Sequence, residues 1–309
     1  METPQPTSNE QVQQAKSRKG LVTVLGLVII VALVCAGAFW VHNSDPITSP
    51  TASETSAAAA RAPKPVQNKE YEALQAVVHK PSVADNQGGI IVSKEGVGRA
   101  SANVPTFDIY MDFLCPPCAS VHRTLDPSLE KMIQAGQINV GMHFMDFLDR
   151  TRSDQYSSRT ASAAATVAQE DPKHFFDVVA SFYAEDFQPA EEAGKDISDE
   201  QLAERMMSVG VPESVAKKAA SGEYIEWTQK LNAYTVTRAE LAHPDGSDKG
   251  KMTTPTIIIN NTYLQINHIR GGADDVRKAL YKAIGLDENQ VGKAGSLPAI
   301  GATGKPNAI

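Results

Sequence analysis

Two cysteines separated by two prolines, Cys115-Pro116-Pro117-Cys118, constrain this chain more than anything else in it. Cysteines so spaced meet across one helical turn, where they either close a disulfide or stand open as two thiols. The run before them, Thr106 to Phe113, alternates apolar and mixed residues and reads as a strand. The run after them, Ala119 to Leu125, reads as the first turns of a helix. The pair therefore sits where a strand hands over to a helix N-terminus. That end has unpaired N–H groups and a partial positive charge, which favour a thiolate over a thiol. Proline suits a first helical turn, because its missing N–H has no partner there anyway. The local arrangement supports a redox-active dithiol.

The remaining thiol does not compete with this pair. The 309 residues hold three cysteines, and the third, Cys35, lies inside an apolar run. A structural zinc site needs two more soft ligands at suitable spacing, and the seven histidines are scattered without it. No metal and no cofactor are therefore expected. A purely structural disulfide is disfavoured too, because so short a loop barely constrains the unfolded chain. The net charge of -7 argues against a nucleic-acid partner.

Residues 1–20 are polar and end in Lys16, Arg18 and Lys19; residues 21–41 carry no charge. Such a run is long enough to cross a ~30 Å hydrocarbon layer as a helix. The basic cluster before it places the N-terminus inside and the bulk of the chain outside, with Trp40 as an outer interfacial anchor. A cleaved signal peptide ending at Ala36-Gly37-Ala38 is the alternative, but the run is longer than a signal core. Lipid attachment at Cys35 is disfavoured by the bulky Val34 before it. In each version the rest of the chain is exported, where disulfides persist. Residues 42–69, rich in Ser, Thr, Ala and Pro, read as a flexible linker.

The chain then orders as follows. Glu70 to Val78 reads as a short helix and Gly89 to Val92 as a strand; the strand into Cys115 follows. Pro127 is expected to kink or restart the helix after the dithiol. Gln137 to Phe144 reads as a strand, which makes a parallel βαβ start. Residues 152–243 read as helical, with an aromatic stripe of Phe175, Phe176, Phe182 and Tyr183 that either packs a core or lines a groove. A β-branched run led by Pro255, a turn at Asn260-Asn261, a returning strand over Tyr263 to Ile266 and a final helix from Ala273 to Ile284 complete a domain over 70–286. Residues 287–309 carry Gly, Ala and Pro without period and read as a disordered tail.

Two motifs within this order, Asp112-Phe113-Leu114-Cys115-Pro116-Pro117-Cys118 and Thr254-Pro255-Thr256-Ile257-Ile258-Ile259-Asn260, resemble those of the DsbA-like thiol-disulfide oxidoreductases. The resemblance covers roughly residues 70–284. It implies an α/β thioredoxin-like fold with a helical insertion, here preceded by one transmembrane helix and a flexible linker. It implies that Cys115 is the nucleophile and Cys118 the resolving thiol, with Pro116 and Pro117 forming the active-site loop. It also implies a cis Pro255 facing the dithiol, with Thr254 backbone groups free to pair with an extended substrate. Reduced or unfolded exported proteins would be the clients, and a quinone-linked thiol oxidase in the membrane the re-oxidant.

Two departures from the family's pattern bear on chemistry. Many members have His where this chain has Pro117, and proline neither donates a hydrogen bond nor carries charge. Their buried acid corresponds to Ile109 here, while Asp108 and Asp112 fall on the other strand face. One of these is left as proton acceptor for Cys118, or Asp112 caps the active-site loop. The expected function is disulfide exchange with exported proteins on the outer side of the cell membrane, in the oxidising direction. A reductase or isomerase of the same fold, and a non-redox membrane-tethered binding or chaperone-like module, are the alternatives.

Overall fold

The computed structural model describes residues 64–309 apart from residue 193. The expected cytoplasmic segment 1–20, the anchor 21–41 with Cys35, and the linker as far as residue 63 lie outside the described residues. Among the described residues no helix is long and apolar enough to cross a membrane.

A six-stranded sheet carries the domain. Its strands are β1 (Ile90–Ser93), β2 (Gly96–Val97), β3 (Thr106–Asp112), β4 (Asn139–Met145), β5 (Thr256–Ile259) and β6 (Thr262–Tyr263). Their spatial order is β2-β1-β4-β3-β5-β6. Only β3 and β4 run parallel, joined by the long helix α2 (Pro116–Gln134); each outer neighbour pairs antiparallel. Helix α1 (Lys69–Ala76) precedes the sheet, and α8 (Ala273–Ile284) follows it. Between β4 and β5 the chain builds a helical block: α3 (Tyr156–Glu170), α4 (Phe175–Phe182), α5 (Asp199–Ser208), α6 (Glu213–Ala220) and α7 (Ile225–Thr235).

The central strands read as apolar runs because the sheet is covered on both faces. All seven residues of β4 are buried, and so are the last four of β3. Helix α3 sits at the centre of the block, touching α4, α6, α7 and β4. Its Ala161, Ala163, Ala164, Ala165 and Ala168 are all fully buried, and such small side chains let several helices approach at once. Ser198 caps α5 and completes a capping box with Gln201.

Four expectations are corrected. Pro127 does not restart a helix: α2 runs from Pro116 to Gln134 with Pro127 inside it. Pro127 and Arg123 are both exposed, so the Arg123 carbonyl that proline leaves unpaired can be hydrated. The returning strand shrinks to Thr262–Tyr263, and Ile266–His268 forms a 3₁₀ turn. The linker ends earlier than residue 69: the Val66 N–H reaches the Tyr234 hydroxyl at 3.2 Å, and Asn68 caps α1. The tail is not loose. Gln137, fully buried, donates its amide to the carbonyls of Gln290 and Ser296, both at 2.8 Å, and accepts from the Gly292 N–H at 2.9 Å. Asn260 likewise holds the carbonyls of Gly301 and Gly304, and the Asn307 N–H returns to Ala283.

The aromatic stripe is core rather than groove. Phe175, Phe182 and Tyr183 are fully buried, and Phe113 packs against Phe144, Phe182 and Tyr183 at 5.0–5.4 Å. That cluster welds the end of β3 to the helical block.

Gln137→Ala is expected to cost about 1–3 kcal/mol, because it leaves half-buried tail carbonyls without their donor and removes the acceptor of the Gly292 N–H. Urea unfolding measures this; an unchanged midpoint would show that the tail docks without Gln137.

Candidate active site

β3 delivers the chain to the dithiol, and β5 delivers the proline strand to the same end of the sheet. Ile109 pairs with Ile257 and Tyr110 with Thr256. The Thr254–Pro255 bond is cis. The Cys115 thiol reaches the Thr254 carbonyl at 3.5 Å. The two segments, 139 residues apart in sequence, thus form one site. Pro116 and Pro117 are exposed at its rim.

Cys115 is the N-cap of α2, with the prolines in its first turn. They have no N–H, so Cys118 supplies the first backbone donor of that turn, and it supports the Cys115 sulfur. Both cysteines are free thiols. Cys115 keeps 5% of its surface exposed and Cys118 none. Their proton affinities diverge accordingly. Hydrogen bonding from Cys118 holds the Cys115 thiol below its ordinary value, against its own burial. Burial, followed by the interaction with Cys115, pushes the Cys118 thiol well up. The outer sulfur is prepared to carry charge and the inner one to hold a proton.

Asp112 does cap the active-site loop. One carboxylate oxygen accepts from the Leu114 N–H at 2.9 Å and the Ser157 hydroxyl at 2.6 Å; the other accepts from the Leu148 N–H at 3.1 Å. It ties β3 to the start of α3. Burial outweighs these bonds and raises its pKa to about 7. Asp146 rises to about 7 as well, by burial and then by the charges of Asp149 and Asp112. Asp108, by contrast, is held away from the dithiol by His143 at 2.9 Å. A cavity of about 240 Å³ lined by Tyr110, His143 and Arg238 lies on that other strand face, and neither cysteine borders it.

Several residues here escaped sequence reasoning. Gln188 donates its side-chain amide to the carbonyls of Phe113, at 2.9 Å, and Cys115, at 3.3 Å, which pins the loop from the helical block. Ser157 and Leu148 hold Asp112. His122, one turn after Cys118 in α2, stacks its ring on Tyr183, and both are buried. Nothing local marks Gln188 or Ser157, since each acts across a long sequence gap. His122 was visible only as a polar residue on the apolar face of α2.

A family model described as Thioredoxin matches residues 94–270, more than half of the chain. The chain belongs to the thioredoxin family. Among solved structures, this thioredoxin-family chain is similar to oxidised DsbA of Mycobacterium tuberculosis, at 26% identity and TM-score 0.48, over 57% of this chain and 85% of that one. It is also similar to MdbA, a thiol-disulfide oxidoreductase from Actinomyces oris, at 16% identity and TM-score 0.50, over 68% and 96%. The latter likeness speaks for the fold alone. The serine/threonine-protein kinase PknE of Mycobacterium tuberculosis is 34% identical over 134 residues, 42% of this chain and 24% of the kinase. The chain thus matches about a quarter of the length of its curated relatives.

The raised Asp112 means that the folded state holds a proton the unfolded state has released. Its stabilising contribution is full below its ordinary value near 3.8 and fades as pH rises through about 7. The span corresponds to roughly 4 kcal/mol. Asp112→Asn is therefore expected to be less stable than wild type at low pH, with the gap narrowing as pH climbs. Urea midpoints across this range test it; a gap that widens with pH would contradict the raised value.

Proposed function

We propose that this chain is an extracytoplasmic, membrane-tethered thiol-disulfide oxidoreductase that donates disulfides to exported proteins. The observation that carries the reading is the asymmetry of the dithiol beside the Thr254 carbonyl: a rim sulfur held below its usual proton affinity, backed by a buried sulfur held above its own. Tethering and export rest on the apolar run at residues 21–41.

The reaction follows from that asymmetry. Starting from the disulfide, a substrate thiolate attacks Cys115. The Cys115–Cys118 bond breaks, its electron pair goes to Cys118, and Cys118 then takes up a proton. A second substrate thiolate attacks the substrate sulfur of the mixed disulfide. The substrate disulfide forms and Cys115 leaves as a thiolate, so two electrons pass from substrate to enzyme. A leaving thiol of low proton affinity leaves faster and favours this direction. Thr254, with a backbone carbonyl at the site, would align an extended client strand, and Pro255 would shape the wall opposite Pro116 and Pro117. Asp112, near half-ionised at neutral pH, is suited to exchange protons with Cys118. A quinone-linked thiol oxidase in the membrane would restore the disulfide.

The reverse direction, as a reductase or isomerase, is favoured by Pro117, which adds no charge to stabilise the thiolate. Equilibration with glutathione separates the two. An oxidase should have a potential less negative than about -200 mV, and a value near thioredoxin's ~-270 mV would assign the protein to reduction.

Cys115→Ser should abolish oxidation of a reduced, disulfide-requiring substrate, as followed by alkylation. Retained oxidation would remove Cys115 from the mechanism. Pro117→His should raise the potential by about 30 mV or more, since an added cation next to Cys115 favours the reduced form. A fall would mean that the loop geometry, not charge, governs the poise.

A further inference from the structure

The cavity on the far face of β3 plays no part in the reaction above, yet charged groups build its walls. Tyr110, His143 and Arg238, all buried, form its floor. Tyr110 and His143 face each other on β3 and β4, and their rings stack with centroids 4.2 Å apart and planes 17° apart. The Arg238 guanidinium donates to the Tyr110 hydroxyl at 3.0 Å and pairs with Glu240 at 2.9 Å. Asp85 and Glu240 are exposed and Asp108 is half-buried, so these three carboxylates edge the opening. Ala302 and Thr303 of the tail close one side. They are held there by the Asn260 amide, which donates to the carbonyls of Gly301 and Gly304.

Two glycines make room for the central pair. Nε2 of His143 lies 2.9 Å from an Asp108 oxygen. A Cβ at Gly141 would collide with that oxygen, and a Cβ at Gly89 would come within 2.6 Å of the His143 ring. Glycine at both positions lets the pair lie close against the sheet.

The cavity is short of positive charge. Asp85, Asp108 and Glu240 line it against one guanidinium. A proton on His143 would still leave the carboxylates in excess. Arg238 is committed to Glu240 and Tyr110. Asp85 accepts the N–H groups of Gln87 and Gly89, at 2.8 and 2.9 Å, which bring no full charge to it.

The floor is short of a donor too. With the Nε2 proton given to Asp108, Nδ1 of His143 presents a lone pair, and it is buried without a hydrogen-bond partner. A buried acceptor left unmet is costly and calls for a reason. A protonated amine supplies the missing charge and the missing donor together. A metal ion does not fit the need, because among the described residues no group of three His, Cys, Asp or Glu is placed to hold one. A volume of about 240 Å³ exceeds what one water fills and falls below a drug-sized pocket, which suits a small organic molecule.

We propose that this cavity binds a small organic cation, an aliphatic amine or diamine, whose ammonium N–H groups meet the Asp108 carboxylate and the unpaired Nδ1 of His143 while Asp85 and Glu240 balance its charge. Because the tail supplies one wall, the bound cation also fastens Ala302 and Thr303 to the sheet. The site is separate from the dithiol, and filling it requires neither sulfur.

Titration calorimetry of the full chain in detergent, with putrescine as probe, tests this. One molecule should bind per chain. Butanediol, of the same length but uncharged, should bind at least about tenfold more weakly, the size of one hydrogen bond to a charged group, and succinate should not bind. Asp108→Asn keeps the shape and should weaken putrescine about tenfold. Bound putrescine should slow amide exchange at Gly304 and Asn307, whose N–H groups bond the carbonyls of Ile300 and Ala283. A protein with both Cys115→Ser and Cys118→Ser should bind as wild type does, so a failure of disulfide exchange would leave this result standing. Putrescine held equally by wild type and Asp108→Asn would be attracted by surface charge alone and would overturn the proposal. Equal binding of butanediol, or binding of succinate instead, would overturn it as well. If Asp108→Asn does not fold, Ala302→Phe fills the cavity from the tail side, and an unchanged putrescine affinity there would refute the site.

Discussion

The register of β3 governs the rest of this structure. It runs parallel to β4 from Thr106–Asn139 to Asp112–Met145 and antiparallel to β5 from Phe107–Ile259 to Tyr110–Thr256. Because strand side chains alternate, a slip of one residue would swap Ile109 and Met111 of the main core with Asp108 and with Tyr110, which packs against Leu241 and Ile258 on the other face. The same slip would carry Cys115 away from the Thr254 carbonyl. The hydrophobic pattern that secures the sheet therefore also sets the geometry of the site.

Charge is then distributed by depth. At the rim, Cys115 caps a helix whose first turn lacks two donors, and one remaining N–H together with the Cys118 thiol supports its sulfur. Below it, Cys118 lies among aromatic rings where burial dominates. Asp112 belongs to both regions, since its bonds to Leu114, Leu148 and Ser157 fasten the loop while burial keeps its carboxyl close to neutral titration. The helical block supports the site as well as covering the sheet. Gln188 holds the loop carbonyls, Ser157 holds Asp112, and Tyr183 packs on Phe113 and His122.

The sequence made much of this legible where signals were local. The strand into Cys115 and the final helix over Ala273–Ile284 rest on neighbouring residues. Failures came where a distant partner decided the outcome. Pro127 looked like a break, yet its exposed face lets the freed carbonyl meet water while the buried face of α2 continues. Residues 287–309 looked uncommitted, because their partners, Gln137 and Asn260, are far away in the chain. The aromatic stripe admitted core or groove until Phe113 and Phe144 were seen packed against it.

By itself the sequence determined that a dithiol lies at a strand–helix junction, with a thioredoxin-like order of elements around it. Periodicity, proline and glycine placement and cysteine spacing are properties of adjacent residues, and they survive without tertiary contacts. Only the folded chain decided which carboxylate meets the loop and which carbonyl faces Cys115. Those outcomes depend on burial and on donors brought together from separate elements, and no local pattern records them.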